Sequence, residues 1–184
     1  MMTQRNEFPY RKGDGFSMLQ LPYSGDEILF LIILPDKVDG LAMVETKLTP
    51  SLLGGATKWE QRDVTLYLPK LKLEPPVLPL GQTLQALGMK TAFDKPPRSA
   101  NFDRMAPRRP NDYLALSEVF HKTFLKLDEE GTEAAAATAL QMVTLGIHEP
   151  KKAIEVKVDH PFLFAIQQQS SGACLFLGRV TDPR

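Results

Sequence analysis

A single cysteine, Cys174, is all the thiol this chain of 184 residues carries, and a lone cysteine closes no internal disulfide. It sits in an apolar strand pattern, so a buried and inert thiol is expected. An excess of charge of either sign is also missing, with 22 Lys and Arg against 22 Asp and Glu. That balance argues against a nucleic-acid partner, because no cation surplus exists to neutralise phosphates. Long hydrophobic runs are lacking too. No apolar stretch approaches ~18 residues, which argues against a membrane-spanning helix. The opening Met1-Met2-Thr3-Gln4-Arg5-Asn6-Glu7 presents no apolar signal core. Catalytic motifs are absent in the same way. The histidines are His121, His148 and His160, and none lies in a Gly-x-Ser-x-Gly elbow or a His-Glu-x-x-His helix. No Cys/His cluster has metal-ligand spacing, and Gly54-Gly55 lacks the Lys-Ser/Thr of a phosphate loop. No enzyme activity, cofactor or metal is expected.

What is present is enough apolar residue, 43%, for one globular domain with a core. The patterns are mostly those of strands. Phe16 to Tyr23 and Ile28 to Leu34 read as a hairpin around Ser24-Gly25-Asp26, with Pro35 closing the second strand. Thr49-Pro50 is a helix start followed by Gly54-Gly55, which predicts a short helix. Val64, Leu66 and Leu68 alternate, and Leu71 and Leu73 continue beyond Pro69. Leu80 to Leu87 reads as a short helix stopped by Gly88. Asp94 to Asp112 is a proline-rich loop whose Arg104, Arg108 and Arg109 read as solvated. Leu114 to Asp128 is apolar at odd and even positions alike, the pattern of a strand covered on both faces. Ile154, Val156 and Val158 alternate with charged residues. Phe162 to Ile166 and Ala173 to Val180 form a last hairpin around Ser170-Ser171-Gly172. With no internal repeat and no linker, the expected class is α+β, with antiparallel sheets dominant.

The run from Asp128 to Ala139, Asp-Glu-Glu-Gly-Thr-Glu-Ala-Ala-Ala-Ala-Thr-Ala, follows that long strand and contains nothing large. Alanines favour helix, yet the run lies between strand-patterned segments. It can stand outside the body as a loop or slip between packed strands without steric penalty. As a strand it would place Thr132, Ala134, Ala136 and Thr138 on one face and Glu133, Ala135 and Ala137 on the other.

Four blocks together resemble the C-terminal half of a serpin, a serine-protease inhibitor of the loop-insertion type. Met1-Met2 with Leu21-Pro22-Tyr23 and Ile33-Leu34-Pro35 is similar to the second-sheet hairpin region. Leu68-Pro69-Lys70-Leu71 is similar to the sixth strand of the main sheet. Leu116-Ser117-Glu118-Val119-Phe120-His121-Lys122, running on to Asp128-Glu129-Glu130-Gly131-Thr132-Glu133-Ala134-Ala135, resembles the fifth strand and the hinge after it. Val158-Asp159-His160-Pro161-Phe162-Leu163-Phe164, with Phe176-Leu177-Gly178-Arg179-Val180, resembles the C-terminal signature. The blocks stand in family order along the chain.

The resemblance implies a serpin fold, incomplete at its N-terminal side, with residues 1–184 as the C-terminal half of one domain. It implies inhibition of a serine protease by loop cleavage and strand insertion. The hinge would comprise Glu129, Glu130, Gly131, Thr132, Glu133, Ala134, Ala135, Ala136, Ala137 and Thr138. Counting fourteen residues on from Gly131 gives a reactive bond between Leu145 and Gly146, with Thr144, Ile147 and His148 as neighbouring alternatives. Leu145 implies a chymotrypsin-like target with an apolar pocket. His121 matches the family's shutter histidine, and His160 packs at a strand start. The second partner implied is the missing N-terminal half, without which the fragment would not inhibit. Extracellular location is the family's common one. Two other readings stand beside this one: a non-inhibitory serpin acting as carrier or chaperone, and a β-rich binding domain that keeps relic serpin motifs.

Overall fold

The computed structural model describes residues 1–53, 58–109, 112–128 and 152–183. Gly54 and Gly55 therefore lie outside the described residues, as does the segment from 129 to 151. In chain order the strands are β1 (Met2–Lys12), β2 (Phe16–Pro22), β3 (Ile28–Pro35), β4 (Glu60–Leu68), β5 (Leu71–Leu73), β6 (Leu78–Pro79), β7 (Phe120–His121), β8 (Leu125–Leu127), β9 (Ile154–Lys157), β10 (Phe162–Gln168) and β11 (Cys174–Val180). The helices are α1 (Leu41–Lys47), α2 (Pro50–Leu53) and α3 (Gly81–Ala86). They belong to two compact units, Met1–Leu71 with Lys126–Arg184, and Lys72–Leu125.

The first unit is built on a seven-stranded sheet in the order β11-β10-β3-β2-β1-β4-β9. Its ladders are antiparallel except for the parallel pair β4–β9. The β2–β3 hairpin turns where the sequence indicates. The Asp26 amide closes the turn on Tyr23 O at 3.1 Å, with Gly25 at φ +87° in its third position, where a left-handed residue is needed, and Asp26 at φ +56° just after it. Gly172 at φ +69° serves the β10–β11 turn. β3 is apolar on both faces because both faces are covered. One side packs Leu31 and Ile33 with Phe16, Met18, Val44, Leu163 and Ala165, and Leu52, Leu53 and Trp59 press against this cluster. On the other side Phe30 stacks on Phe164 with ring centres 5.5 Å apart. α2 starts as expected, with Thr49 Oγ1 accepting the Leu52 amide at 3.2 Å.

β1 and α1 have no counterpart in the sequence expectations. β1 shows no period of two, since Phe8 is its one buried side chain. Its hydrogen bonds hold it instead: it pairs with β4 from Met2↔Leu68 to Tyr10↔Glu60 and with β2 from Tyr10↔Leu19 to Lys12↔Ser17. Two further expectations are corrected. Leu114 to Asp128 is not one long strand. Only β7 and β8 are laddered, each in a two-stranded ribbon, β7 with β6 and β8 with β5. Leu114, Phe120 and Phe124 are exposed, because no wider sheet among the described residues covers them. Cys174 is exposed rather than buried. It begins β11, which among the described residues has a neighbour on one side only, and its Sγ donates to Phe176 O at 3.2 Å. Partial burial still pushes the thiol pKa up.

Candidate functional site

The loop-insertion reading needs a strand leading into the hinge, an anchor beyond it and a movable segment between. The hinge residues Glu129 to Thr138, the bond Leu145–Gly146 and the alternatives Thr144, Ile147 and His148 all lie outside the described residues. Both flanks are described. Upstream, Leu127 is buried and Lys126 pairs with Asp128 at 2.5 Å. Downstream, β9 lies parallel to β4 from Val64↔Ile154 to Tyr67↔Lys157. Val156 and Val158 are buried there, and the Val158 amide donates to Tyr67 O at 2.9 Å. Lys157 stands 5.5 Å above the Tyr67 ring and 3.2 Å from Glu155. The hydrogen bond and charge of Glu155, with smaller help from Tyr67 and Asp159, raise the Lys157 pKa. The two flanks belong to the same unit.

His121 stands in the second unit, exposed, opposite Leu78 in the β6–β7 ribbon. Lys122 beside it pairs with Glu74 at 3.3 Å, an exposed pair of small worth. Ahead of this ribbon the Leu80 amide donates to Val119 O at 2.7 Å and the Gly81 amide to Glu118 Oε1 at 2.6 Å. Glu118 is a site the motif reading passes over. Its one sequence signal is a carboxylate amid apolar strand residues, which must find a donor if it is even half-buried. His160 does pack at a strand start: Nε2 is 2.7 Å from Pro35 O and Nδ1 2.8 Å from Asp159, tying the start of β10 to the end of β3.

The basic loop is more than a solvated connection. Arg108 lies 5.0 Å over the Tyr113 ring and donates to the carbonyls of Arg98 and Ala100. Tyr113 OH donates to Asp94 at 2.6 Å, and Asp94 also accepts the Ala100 amide at 3.2 Å. The Tyr113 hydrogen bond holds the Asp94 carboxyl below its usual range, and Asp94 in turn raises the phenol. These contacts fasten the loop on itself. Among the described residues no group of three or more His, Cys, Asp or Glu could hold a metal, and no helix is long and apolar enough to cross a membrane.

The fold matches two solved structures. Uncleaved ovalbumin superposes with a TM-score of 0.73 at 26% identity, covering 99% of this chain and 47% of that one. Serpin48, a highly specific serpin of the insect Tenebrio molitor, gives 0.72 at 28% identity, covering 100% and 46%. The family model "Serpin (serine protease inhibitor)" matches residues 1–183, and the chain belongs to the serpin family. Serpin B10 of Mus musculus is 40% identical over 168 residues, 90% of this chain and 40% of the relative. The leukocyte elastase inhibitor of Homo sapiens is 38% identical over 192 residues, 100% of this chain and 48% of the relative. A serpin-like protein of Thermococcus kodakarensis is 38% identical over 188 residues, 100% and 41%. The chain thus spans less than half the length of the curated relatives it matches.

Proposed function

We propose that residues 1–184 are the C-terminal half of a single serpin domain that traps a serine protease by loop cleavage and strand insertion. The run of compact side chains from Thr132 to Thr138 carries this reading, in a chain that aligns along its whole length with a leukocyte elastase inhibitor. The protease attacks the Leu145–Gly146 peptide and forms an acyl-enzyme, its serine esterified to the Leu145 carbonyl while Gly146 leaves as a free amine. The segment from Gly131 to Leu145, now free at one end, enters the main sheet as a strand. At ~3.3 Å per residue it carries the esterified protease roughly 46 Å. Displacement and compression destroy the positioning on which deacylation depends. New ladder bonds at ~0.5–1.5 kcal/mol each, with burial added, supply a drive on the order of ten kcal/mol. Strand insertion by serpins is itself among the standard cases of strand addition and released strain.

Leu145 suits a chymotrypsin-like protease with an apolar pocket. The other participant is the remaining half of the fold, which this reading requires for the inserted strand to have a neighbour on each side. Side chains left open in each unit support that requirement. Leu175, Phe176 and Leu177 are exposed in the first, and Val77, Leu87, Phe120 and Phe124 in the second, apolar side chains that the remaining half would cover. The test is a mixture of the chain, joined to that half, with chymotrypsin or leukocyte elastase. The expected product is a covalent complex stable to SDS. Thr132→Arg should convert inhibitor to substrate, because a buried guanidinium stalls entry of the strand; a trapped protease in that variant would overturn the insertion account.

A further inference from the structure

Glu118 interrupts a run of apolar residues, and its carboxylate reaches sideways to the first amide of α3. Oε1 accepts Gly81 N–H at 2.6 Å and Val119 N–H at 2.8 Å. Val119 O then accepts Leu80 N–H at 2.7 Å, and the pairs Pro79↔Phe120 and Leu78↔His121 follow. Positions 118 to 121 therefore face 81 to 78 in falling order, one continuous antiparallel register with a carboxylate at its end. α3 has no side-chain cap of its own, so this distant carboxylate satisfies an amide that a helix start leaves open. Gly81 permits the approach. It is buried, and a Cβ built there would collide with the Glu118 carboxylate.

The ribbon beyond is weak by itself. It is two residues long, and both Phe120 and His121 are exposed, so little burial resists a slip. A slip of one residue would turn His121 to the opposite face and take the Glu118 oxygen away from Gly81. We propose that Glu118 is a positioning residue, a register pin that fixes the face on which His121 stands in β7, upstream of the segment assigned to the hinge. Its importance for inhibition rests on the reading under Proposed function; the pin itself does not.

The test is residue-resolved amide hydrogen exchange with a double-mutant cycle. Glu118→Ala should speed exchange at Leu80 and Gly81 about tenfold, the loss of one hydrogen bond to a charged acceptor. Glu118→Gln, which keeps a neutral oxygen, should fall between and partly restore the wild-type NMR shifts of the His121 ring. Gly81→Ala should reproduce Glu118→Ala, and the double variant should be no worse than either. A merely space-filling Glu118 would lower the melting temperature with additive effects at these two amides. Additive effects, or unchanged exchange, overturn the pin. If Glu118→Ala does not fold, Glu118→Gln against Gly81→Ala carries the same cycle. Whether the wild type traps protease is read separately on a gel, so failure of that reading and failure of the pin are told apart.

Discussion

At the scale of single residues, backbone sterics and paired charges make the sharpest demands. Gly25 sits at φ +87° with open space where a Cβ would go. Substitution there meets no clash, only left-handed strain. Gly25→Ala should therefore cost about 1 kcal/mol, read as a lowered urea midpoint with unchanged slope. Asp94 and Tyr113 make an opposite kind of demand, one that depends on pH. The Asp94 carboxyl is depressed by its hydrogen bond from Tyr113, so its contribution is present above the unfolded carboxylate pKa and is lost as pH falls through the folded value. The phenol is raised by the same bond; its contribution is present below the unfolded phenol pKa and lost as pH rises through the folded value. Protection of the Ala100 amide, measured by hydrogen exchange against pH, should decline at both ends. Asp94→Asn should flatten the acid limb, since the charge that titrates there is gone.

At the scale of elements, legibility followed burial. β2, β3, β4 and β10 were readable because each puts apolar side chains where the sheet hides them, and the turns at Gly25 and Gly172 carry residues chosen for left-handed backbone. α2 announced itself through Thr49, whose hydroxyl accepts the Leu52 amide. Thr49→Ala should cost about 1 kcal/mol and loosen Leu52 and Leu53 from the core, visible as a shift in the emission of Trp59, which packs against the same cluster. β1 was invisible for the converse reason. Its ladders hold a strand with a single buried side chain, Phe8, and a backbone ladder leaves no mark in hydropathy. The long strand read from Leu114 to Asp128 erred because apolar residues on both faces describe what a strand is suited to pack against, whereas a ladder needs neighbours that are there. Of the candidate site, the His160 anchor was legible locally, while the hinge assigned to residues 129–138 lies outside the described residues. Glu118 was not legible, since its partner Gly81 lies 37 residues away in the chain.

At the scale of the molecule, the proposed mechanism is a statement about which of two arrangements is more stable. In that mechanism the uncut segment would be held through its two described flanks, the buried Leu127 and β9 on β4. A strand fixed at both ends cannot travel the length of a sheet. Cutting the proposed Leu145–Gly146 bond would remove one tether and leave the β9 ladder undisturbed. The freed residues can then pair on both sides, at a conformational cost of roughly 1–2 kcal/mol for each residue ordered, offset by ladder bonds and by burial of small side chains that leave no cavity and force no overpacking. The molecule completed with the rest of its fold should therefore melt higher after cleavage than before, by well over ten degrees if the gain is on the order of ten kcal/mol. Thr132→Arg should abolish that gain without moving the melting temperature of the uncut form, because residue 132 enters the sheet only after the cut. Calorimetry of the four samples, cut and uncut, wild type and variant, decides the matter. Equal melting temperatures for cut and uncut wild type would mean that the loop is severed and stays outside, and the insertion account would have to be abandoned.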